Sequence, residues 1–272
     1  MTIFNRQQLQ QNQIRAFKNF AQYNFLHQEI GQRMLENLAL LADGKKAKNY
    51  AKILEIGIIE SFLQSAKNDD NFSKNVVFSQ ENAPKITKTA IFANKNADLI
   101  VDDEDLHFEE NSFDLVFSNL NLQFINQIPQ FLVNIKNILK KDGVFIASFF
   151  GEENLKELNH AMQISENEIC GGISPRLPPT IDVKTAAMLL QKAGFKDPIS
   201  SLEKIEVNYK EPISLLKDLK NMAFGNILQK KSKKFFTKKL LQRLLENYQK
   251  FYGNEERAIK ASFEIVIICG KK

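Results

Sequence analysis

Two kinds of hydrophobic spacing alternate along the chain, and residues 102–151 show both. Phe113, Leu115, Val116 and Phe117 form a short apolar run after the acidic turn Asp102-Asp103-Glu104-Asp105, the pattern of a buried strand. Ile128, Phe131, Leu132, Ile135, Ile138 and Leu139 then recur at helical spacing. Pro129 suits the first turn of that helix, and Lys140 and Lys141 fall where cations complement its dipole. Asp142-Gly143 punctuates before a second strand, VFIASFF. Strand, crossover helix and parallel strand make a βαβ unit, and ligands of such sheets sit beyond the carboxyl ends of the strands. The polar segments 102–105 and 118–123 occupy that edge and are the expected ligand face.

The flanking chain continues the alternation. Residues 5–43 predict one or two amphipathic helices, with Ala16, Phe17, Phe20 and Ala21 and then Phe25, Leu26, Ile30, Met34 and Leu38 on the apolar face, ended by 44–46. Strands are expected at 53–57, 76–78 and 98–101, with helices from Ser61 and from Asn82 onward. A helix over 155–168 stops at Gly171-Gly172, and Pro175, Pro178 and Pro179 forbid regular structure after it. Asp182 can cap a helix running to Gly194. A strand at 202–209, helices at 212–222 and 233–251, and a β-branched strand at 261–269 complete the pattern. This is an α/β chain with an open, mostly parallel sheet. It divides into an N-terminal helical cap (1–50), a core (51–150) and a C-terminal part of the same domain (151–272).

At 272 residues the chain suits one large domain, and 43% hydrophobic with 25% charged residues is ordinary for a soluble protein. No apolar run approaches the about 18 residues of a membrane span. The polar start MTIFNRQQLQQNQ lacks a signal peptide's apolar core. Two distant cysteines, Cys170 and Cys269, fit a reducing cytoplasm and offer no metal-ligand spacing; His27, His107 and His160 are too scattered for zinc or iron. The net charge of +5 gathers at Lys230, Lys231, Lys233, Lys234, Lys238 and Lys239, more simply a solvated helix face than a nucleic-acid patch.

The motifs of the central stretch carry a resemblance. Asp102-Asp103-Glu104-Asp105-Leu106-His107-Phe108, Ser112-Phe113-Asp114-Leu115-Val116 and Leu139-Lys140-Lys141-Asp142-Gly143 together resemble the middle of a class I S-adenosylmethionine-dependent methyltransferase, with His107 where proline is usual. The resemblance implies a Rossmann-like fold: an open seven-stranded sheet with helices on both faces, plus N-terminal helices and C-terminal helical additions. It also implies an S-adenosylmethionine site, in which a carboxylate and a glycine-rich turn follow the first strand. Here that segment is Glu55-Ile56-Gly57-Ile58-Ile59-Glu60-Ser61: Gly57 is kept, while Ile59 and Ser61 replace the later glycines. A β-branched Ile59 takes ligand space and would be strained at positive φ, and Glu60 brings negative charge towards the cofactor carboxylate. Gln80 or Glu81 is the expected ribose partner after the second strand. Asp102, Asp103 and Glu104 match the adenine-contacting turn, and Ser118, Asn119 and Leu120 match the loop of the transfer face.

The remaining chain resembles one branch of that family. The residues are Ile3-Phe4-Asn5-Arg6, Arg15-Ala16, Glu166 and Glu168 leading into Gly171-Gly172-Ile173-Ser174-Pro175, Ala193-Gly194-Phe195, and Phe263-Glu264-Ile265. The branch holds biotin-synthesis malonyl-carrier-protein methyltransferases and the mitochondrial complex I assembly factor 5 group. It implies a protein or acyl-carrier-protein substrate, with a respiratory complex I subunit among the candidates. Gly171, Gly172, Ser174 and Arg176 form an expected cover over the cleft, Arg176 facing an anionic partner, and Arg15 is positioned to reach the cofactor carboxylate; a packing loop and a surface salt bridge are the plainer alternatives. His107 and His160 read as structural or surface residues. Three functions are compatible with this pattern: a methyltransferase, a catalytically inactive assembly or binding protein of the same fold, or a hydroxylase of that fold acting on a complex I arginine.

Overall fold

The computed structural model describes residues 2–40, 50–67, 85–176, 178–231, 236–256 and 258–272. The expected strand at 76–78, the residues Gln80 and Glu81, the stop at 44–46, and Lys233 and Lys234 lie outside these described residues.

The strands are β1 (Lys52–Glu55), β2 (Lys85–Ala90), β3 (Leu99–Ile100), β4 (Phe113–Ser118), β5 (Leu139–Phe150), β6 (Lys196–Tyr209) and β7 (Ile259–Lys271). They form one seven-stranded sheet in the order β3-β2-β1-β4-β5-β7-β6. The pairs from β3 through β5 are parallel, and β7 runs antiparallel between β5 and β6. Lys85–Ala90 is a correction to the helix expected from Asn82: Ile86, Thr87 and Thr89 are β-branched, and the segment pairs in register with β1. β5 also begins earlier than expected. Asp142 adopts φ 60° inside it, so Asp142-Gly143 is a distortion within the strand rather than a break before it.

The helices are α1 (Arg6–Phe17), α2 (Phe20–Tyr23), α3 (Phe25–Leu40), α4 (Phe62–Lys67), α5 (Ile128–Ile138), α6 (Lys156–Cys170), α7 (Val183–Lys192), α8 (Pro212–Asn221) and α9 (Lys238–Tyr252). Strand alternation decides which face each residue covers. Leu115, Phe117, Val144, Ile146, Ile265 and Ile267 join Leu26, Ile30 and Met34 of α3 and Leu244 and Tyr248 of α9 in one core. Val116, Phe145, Ala147, Val266 and Ile268 join Phe131, Leu132 and Ile135 of α5 and Leu190 of α7 in the other. A third cluster caps the carboxyl edge: Phe4, Leu9, Ala16 and Phe20 from the N-terminal segment pack on Ile59, Ile91, Phe92, Phe124 and Ile227. The N-terminal helices therefore lie over the edge where the strand order reverses, between β1 and β4.

Candidate functional site

The site begins with the turn after β1. Gly57 sits at φ 73°, and a Cβ there would collide with the Asn121 carboxamide. Glycine is required on both counts. The turn is tied to its neighbours by Ile56 N–H donating to Phe117 O (2.9 Å) and Ile58 N–H donating to Thr89 O (3.0 Å). Glu55 is buried, and both its oxygens are used within the protein. One accepts the Phe62 and Leu63 amides at 2.9 and 3.2 Å; the other accepts the Ser61 hydroxyl at 2.5 Å. Ser61 Oγ in turn accepts the Gln64 amide (3.0 Å), capping α4. Burial pushes the Glu55 carboxyl up to about 7, against the downward pull of these hydrogen bonds.

Ile59 departs from the expected strain. It is absent from the residues at positive φ, and its side chain, 6% exposed, packs into the apolar cap while lining the cleft. Glu60 also lines the cleft and accepts a hydrogen bond from Asn24 (3.0 Å).

The second wall follows β4. Ser118 is fully buried. Asn119 donates to His27 O (2.7 Å) and accepts from Ser148 Oγ (3.0 Å), joining α3 to β5. Leu120 adopts φ 49°, a conformation L side chains rarely take, held by its N–H donating to Ser148 Oγ and by Gln123 donating to its carbonyl. Asn121 donates to Asp103 (3.0 Å), closing the ring of strand ends.

The acidic turn backs the cleft through Asn121. Asp102 caps it through the Glu104 amide, and Glu104 accepts the Asn126 amide. Asp103 is buried, and desolvation pushes its carboxyl up to about 6, with Arg6 opposing the shift. The Arg6 guanidinium lies against this turn: Nε and Nη2 reach Asp102 at 3.0 and 2.6 Å, Nη2 lies 3.5 Å from Asp103, and Nη1 donates to Phe124 O at 3.0 Å.

Gln13, Phe20 and His27 from the N-terminal helices complete the cleft, which encloses only about 30 Å³. Among the described residues, Gln13 Oε1, His27 Nδ1 and Asn121 Oδ1 of the cleft lining are buried without a hydrogen-bond partner, and Asp103 Oδ1 and Ser118 Oγ are likewise buried and unpartnered behind it. His27 as a residue is only partly covered, yet its ring stacks on Phe224 and meets the edge of Phe20, and that desolvation lowers its pKa to about 3. Its imidazole is neutral. Beyond Phe124 and Phe224 lies a second cavity of about 150 Å³, bordered by Phe4, Phe150, Arg176 and Thr180.

The structure brings Glu55, Gly57, Asp102, Asp103, Ser118, Asn119 and Leu120 to one edge, with Glu104 behind them as a clasp on Asn126. Of the others, those among the described residues stand apart from it. β2 ends at Ala90 and is followed directly by Ile91 and Phe92, both buried and apolar. Arg15 lies exposed on α1, and Arg6 is the arginine that enters the site. Gly171 ends α6 at φ 68° and Gly172 follows it, both exposed. Ser174 N–H and the Arg176 guanidinium both bind Glu166, so Arg176 is neutralised within the chain and borders the second cavity. His107 is exposed beside Asp105, and His160 pairs with Tyr252 at the surface. Sequence reasoning gave no individual site role to Arg6, Gln13, His27 or Asn121. Asn121 lay within the expected ligand face at 118–123, and Arg6 stood in the branch motif Ile3-Phe4-Asn5-Arg6; Gln13 and His27 carried no signal.

A family model described as a methyltransferase domain matches residues 37–147. A putative methyltransferase of Rickettsia prowazekii is 35% identical over 203 residues, covering 74% of this chain and 87% of its own. The mitochondrial arginine-hydroxylase NDUFAF5 of Rattus norvegicus is 31% identical over 251 residues, covering 92% and 71%. The chain belongs to this methyltransferase-domain family. A malonyl-[acyl-carrier protein] O-methyltransferase of Gallionella capsiferriformans is 25% identical over 284 residues, covering 97% and 90%. In fold, a putative methyltransferase from Bacillus halodurans superposes with TM-score 0.51 at 15% identity, over 88% of this chain and 98% of that one. The family and fold expected from the motifs are those found, including the branch that joins the hydroxylase and carrier-protein relatives.

Proposed function

We propose that this chain is an S-adenosylmethionine-dependent methyltransferase acting on a protein-borne or carrier-protein-borne group in the cytoplasm. The observation that carries the reading is the junction of Gly57, Asn121 and Asp103. A left-handed glycine turn after β1 packs on a carboxamide after β4, which holds a buried carboxylate of the acidic turn. This is the switch-point edge of a doubly wound sheet, where nucleosides bind. The unpartnered acceptors of Gln13 and Asn121 in the cleft lining, with that of Asp103 behind them, fit the amino and hydroxyl donors of such a ligand in kind. In volume the present cleft is far below the about 300–1,000 Å³ of ordinary ligand sites. A nucleoside therefore requires the N-terminal segment to withdraw.

When bound, S-adenosylmethionine supplies an electrophilic methyl group on a sulfonium. The protein's contribution is positional. Glu55 locks the turn to α4, Asn119 and Leu120 fix the loop after β4, and the aromatic walls Phe20, Phe124 and Phe224 exclude water. The second cavity, small and largely apolar, suits a single side chain or the arm of an acceptor carried by a protein; the rat and Gallionella relatives, named for an arginine and a carrier protein, support that class. Cys269, a buried thiol, accords with a reducing compartment.

A second reading, a non-catalytic assembly protein, draws on Ile59, whose side chain stands in the cleft wall. Calorimetric titration with S-adenosylhomocysteine decides between them. Binding by the natural protein supports the transferase. Silence from both the natural protein and an Ile59→Gly variant refutes it and leaves a partner-binding protein.

A further inference from the structure

The segment ahead of α1 is fastened at the acidic turn in a way that its own packing does not require. Asn126 Oδ1 accepts the amides of both Ile3 and Phe4 at 2.7 Å, and Asn126 Nδ2 returns to Phe4 O. Asn5 N–H donates to Ile227 O and Gln229 N–H to Ile3 O, both at 2.8 Å, making a short antiparallel bridge. Phe4 is buried. The run ends at Arg6, whose guanidinium gives Asp102 and Asp103 the kind of hydrogen-bond donor that the amino and hydroxyl groups of a nucleoside also provide.

Closure in this form is incomplete. Asn121 Oδ1 and Gln13 Oε1 of the cleft lining, and Asp103 Oδ1 behind Asn121, are sealed from solvent without partners. A buried acceptor left unmade is unfavourable, so the closed edge holds polar capacity that Arg6 does not fill and a larger polar ligand would.

We propose that residues 3–6 form a strap competing with the nucleoside for the acidic turn, so that ligand binding and strap release are one coupled event. The proposal rests on the nucleoside reading above. The strap sets an affinity tax: the binding-competent state is the fraction of molecules with Arg6 withdrawn. Two independent clasps hold it, the Arg6 guanidinium and the Asn126 carboxamide, and weakening either raises that fraction.

The experiment is calorimetric titration of S-adenosylhomocysteine into the natural protein, Arg6→Gln and Asn126→Ala, with thermal melts confirming that each is folded. Limited trypsin digestion of the natural protein monitors cleavage at the Arg6–Gln7 bond with and without the ligand. The expected result is binding about tenfold tighter in the variants, with faster cleavage after Arg6 when the ligand is present. Asn126→Ala, which leaves the acidic turn and Arg6 intact, decides the matter if Arg6→Gln fails to fold. Equal or weaker binding in the folded variants, or ligand protection of the Arg6–Gln7 bond, overturns the strap while leaving the nucleoside reading in place. No binding by any of the three removes both.

Discussion

The Ser61 hydroxyl donates to the buried Glu55 carboxylate at 2.5 Å while accepting the Gln64 amide, so one side chain both caps α4 and anchors the turn of the cleft. At the position where the family carries a third glycine, this chain has acquired a structural part. Restoring the glycine by Ser61→Gly removes a donor from a buried carboxylate and a helix cap together. The expected cost is about 1–3 kcal/mol of stability, read by urea denaturation, since an unmade hydrogen bond to a buried group carries that penalty. An unchanged midpoint would mean that the hydroxyl is dispensable to the turn.

Gly57 is the opposite case, a glycine kept for two physical reasons. Its left-handed backbone alone makes Gly57→Ala cost about 1–2 kcal/mol. The collision with Asn121 adds to this and disturbs the Asn121–Asp103 hydrogen bond. Gly57→Ala is therefore expected to destabilise the protein and to weaken nucleoside binding more than Ile59→Gly, which opens space in the cleft wall. Comparison of melting temperature and S-adenosylhomocysteine titration for the two variants tests the ordering.

These two positions show what was legible. The period of apolar residues located β1, β4, α5, β5 and the helices and strands after Gly172, because burial on one or both faces fixes that period. It did not locate β2, whose six residues carry two lysines among β-branched residues and lack an apolar run. Within the site, the spacing of Glu55, Gly57, the acidic turn and the loop after β4 was sufficient to bring them together. Arg6, Gln13 and His27 were not legible as site residues, because docking of the N-terminal helices brings Gln13 and His27 to the cleft and Arg6 to the acidic turn. No local pattern distinguishes Arg6, which enters the site, from Arg15, which faces solvent further along the same helix. The strain expected at Ile59 is absent because its backbone stays out of positive φ, while its side chain does line the cleft.

The buried titratable groups give the stability a defined pH dependence. Burial raises Glu55 to about 7 and Asp103 to about 6, above their unfolded values, so each favours the fold at low pH and that contribution is lost as pH rises to the folded value. His27, lowered to about 3, acts in the opposite sense: its contribution is present above the unfolded value and is lost as pH falls towards 3. Glu55→Gln removes the charge and keeps one acceptor oxygen for the Phe62 and Leu63 amides, its NH2 facing the Ser61 hydroxyl as a donor. Its stability relative to the natural protein is therefore expected to improve between about pH 5 and about pH 7.5. His27→Phe is expected to remove acid sensitivity below about pH 6. Urea midpoints across this range check both, and parallel curves for all three proteins would contradict the assignment.

Glu166 gives the segment after α6 its meaning. It is 1% exposed and takes the Ser174 amide at 3.0 Å and the Arg176 guanidinium, while nothing lies within 4 Å of a Cβ placed on Gly171 or Gly172. The two glycines therefore shape the chain's exit from α6, and the carboxylate holds residues 174–176 beyond them. Arg176 also stacks over Phe236 at 5.4 Å, so its charge is balanced on one side and its plane covered on the other. Glu166→Ala leaves that guanidinium beside the apolar second cavity without its partner. Removing one member of a buried pair costs about 3–5 kcal/mol, and partial exposure of Arg176 places this case at the lower end. The loss is expected to be local as well as global: amide exchange over 172–176 accelerates in the variant before the sheet is affected. Exchange rates unchanged across that segment would show that the loop is held by other contacts and that Glu166 serves only the helix on which it lies.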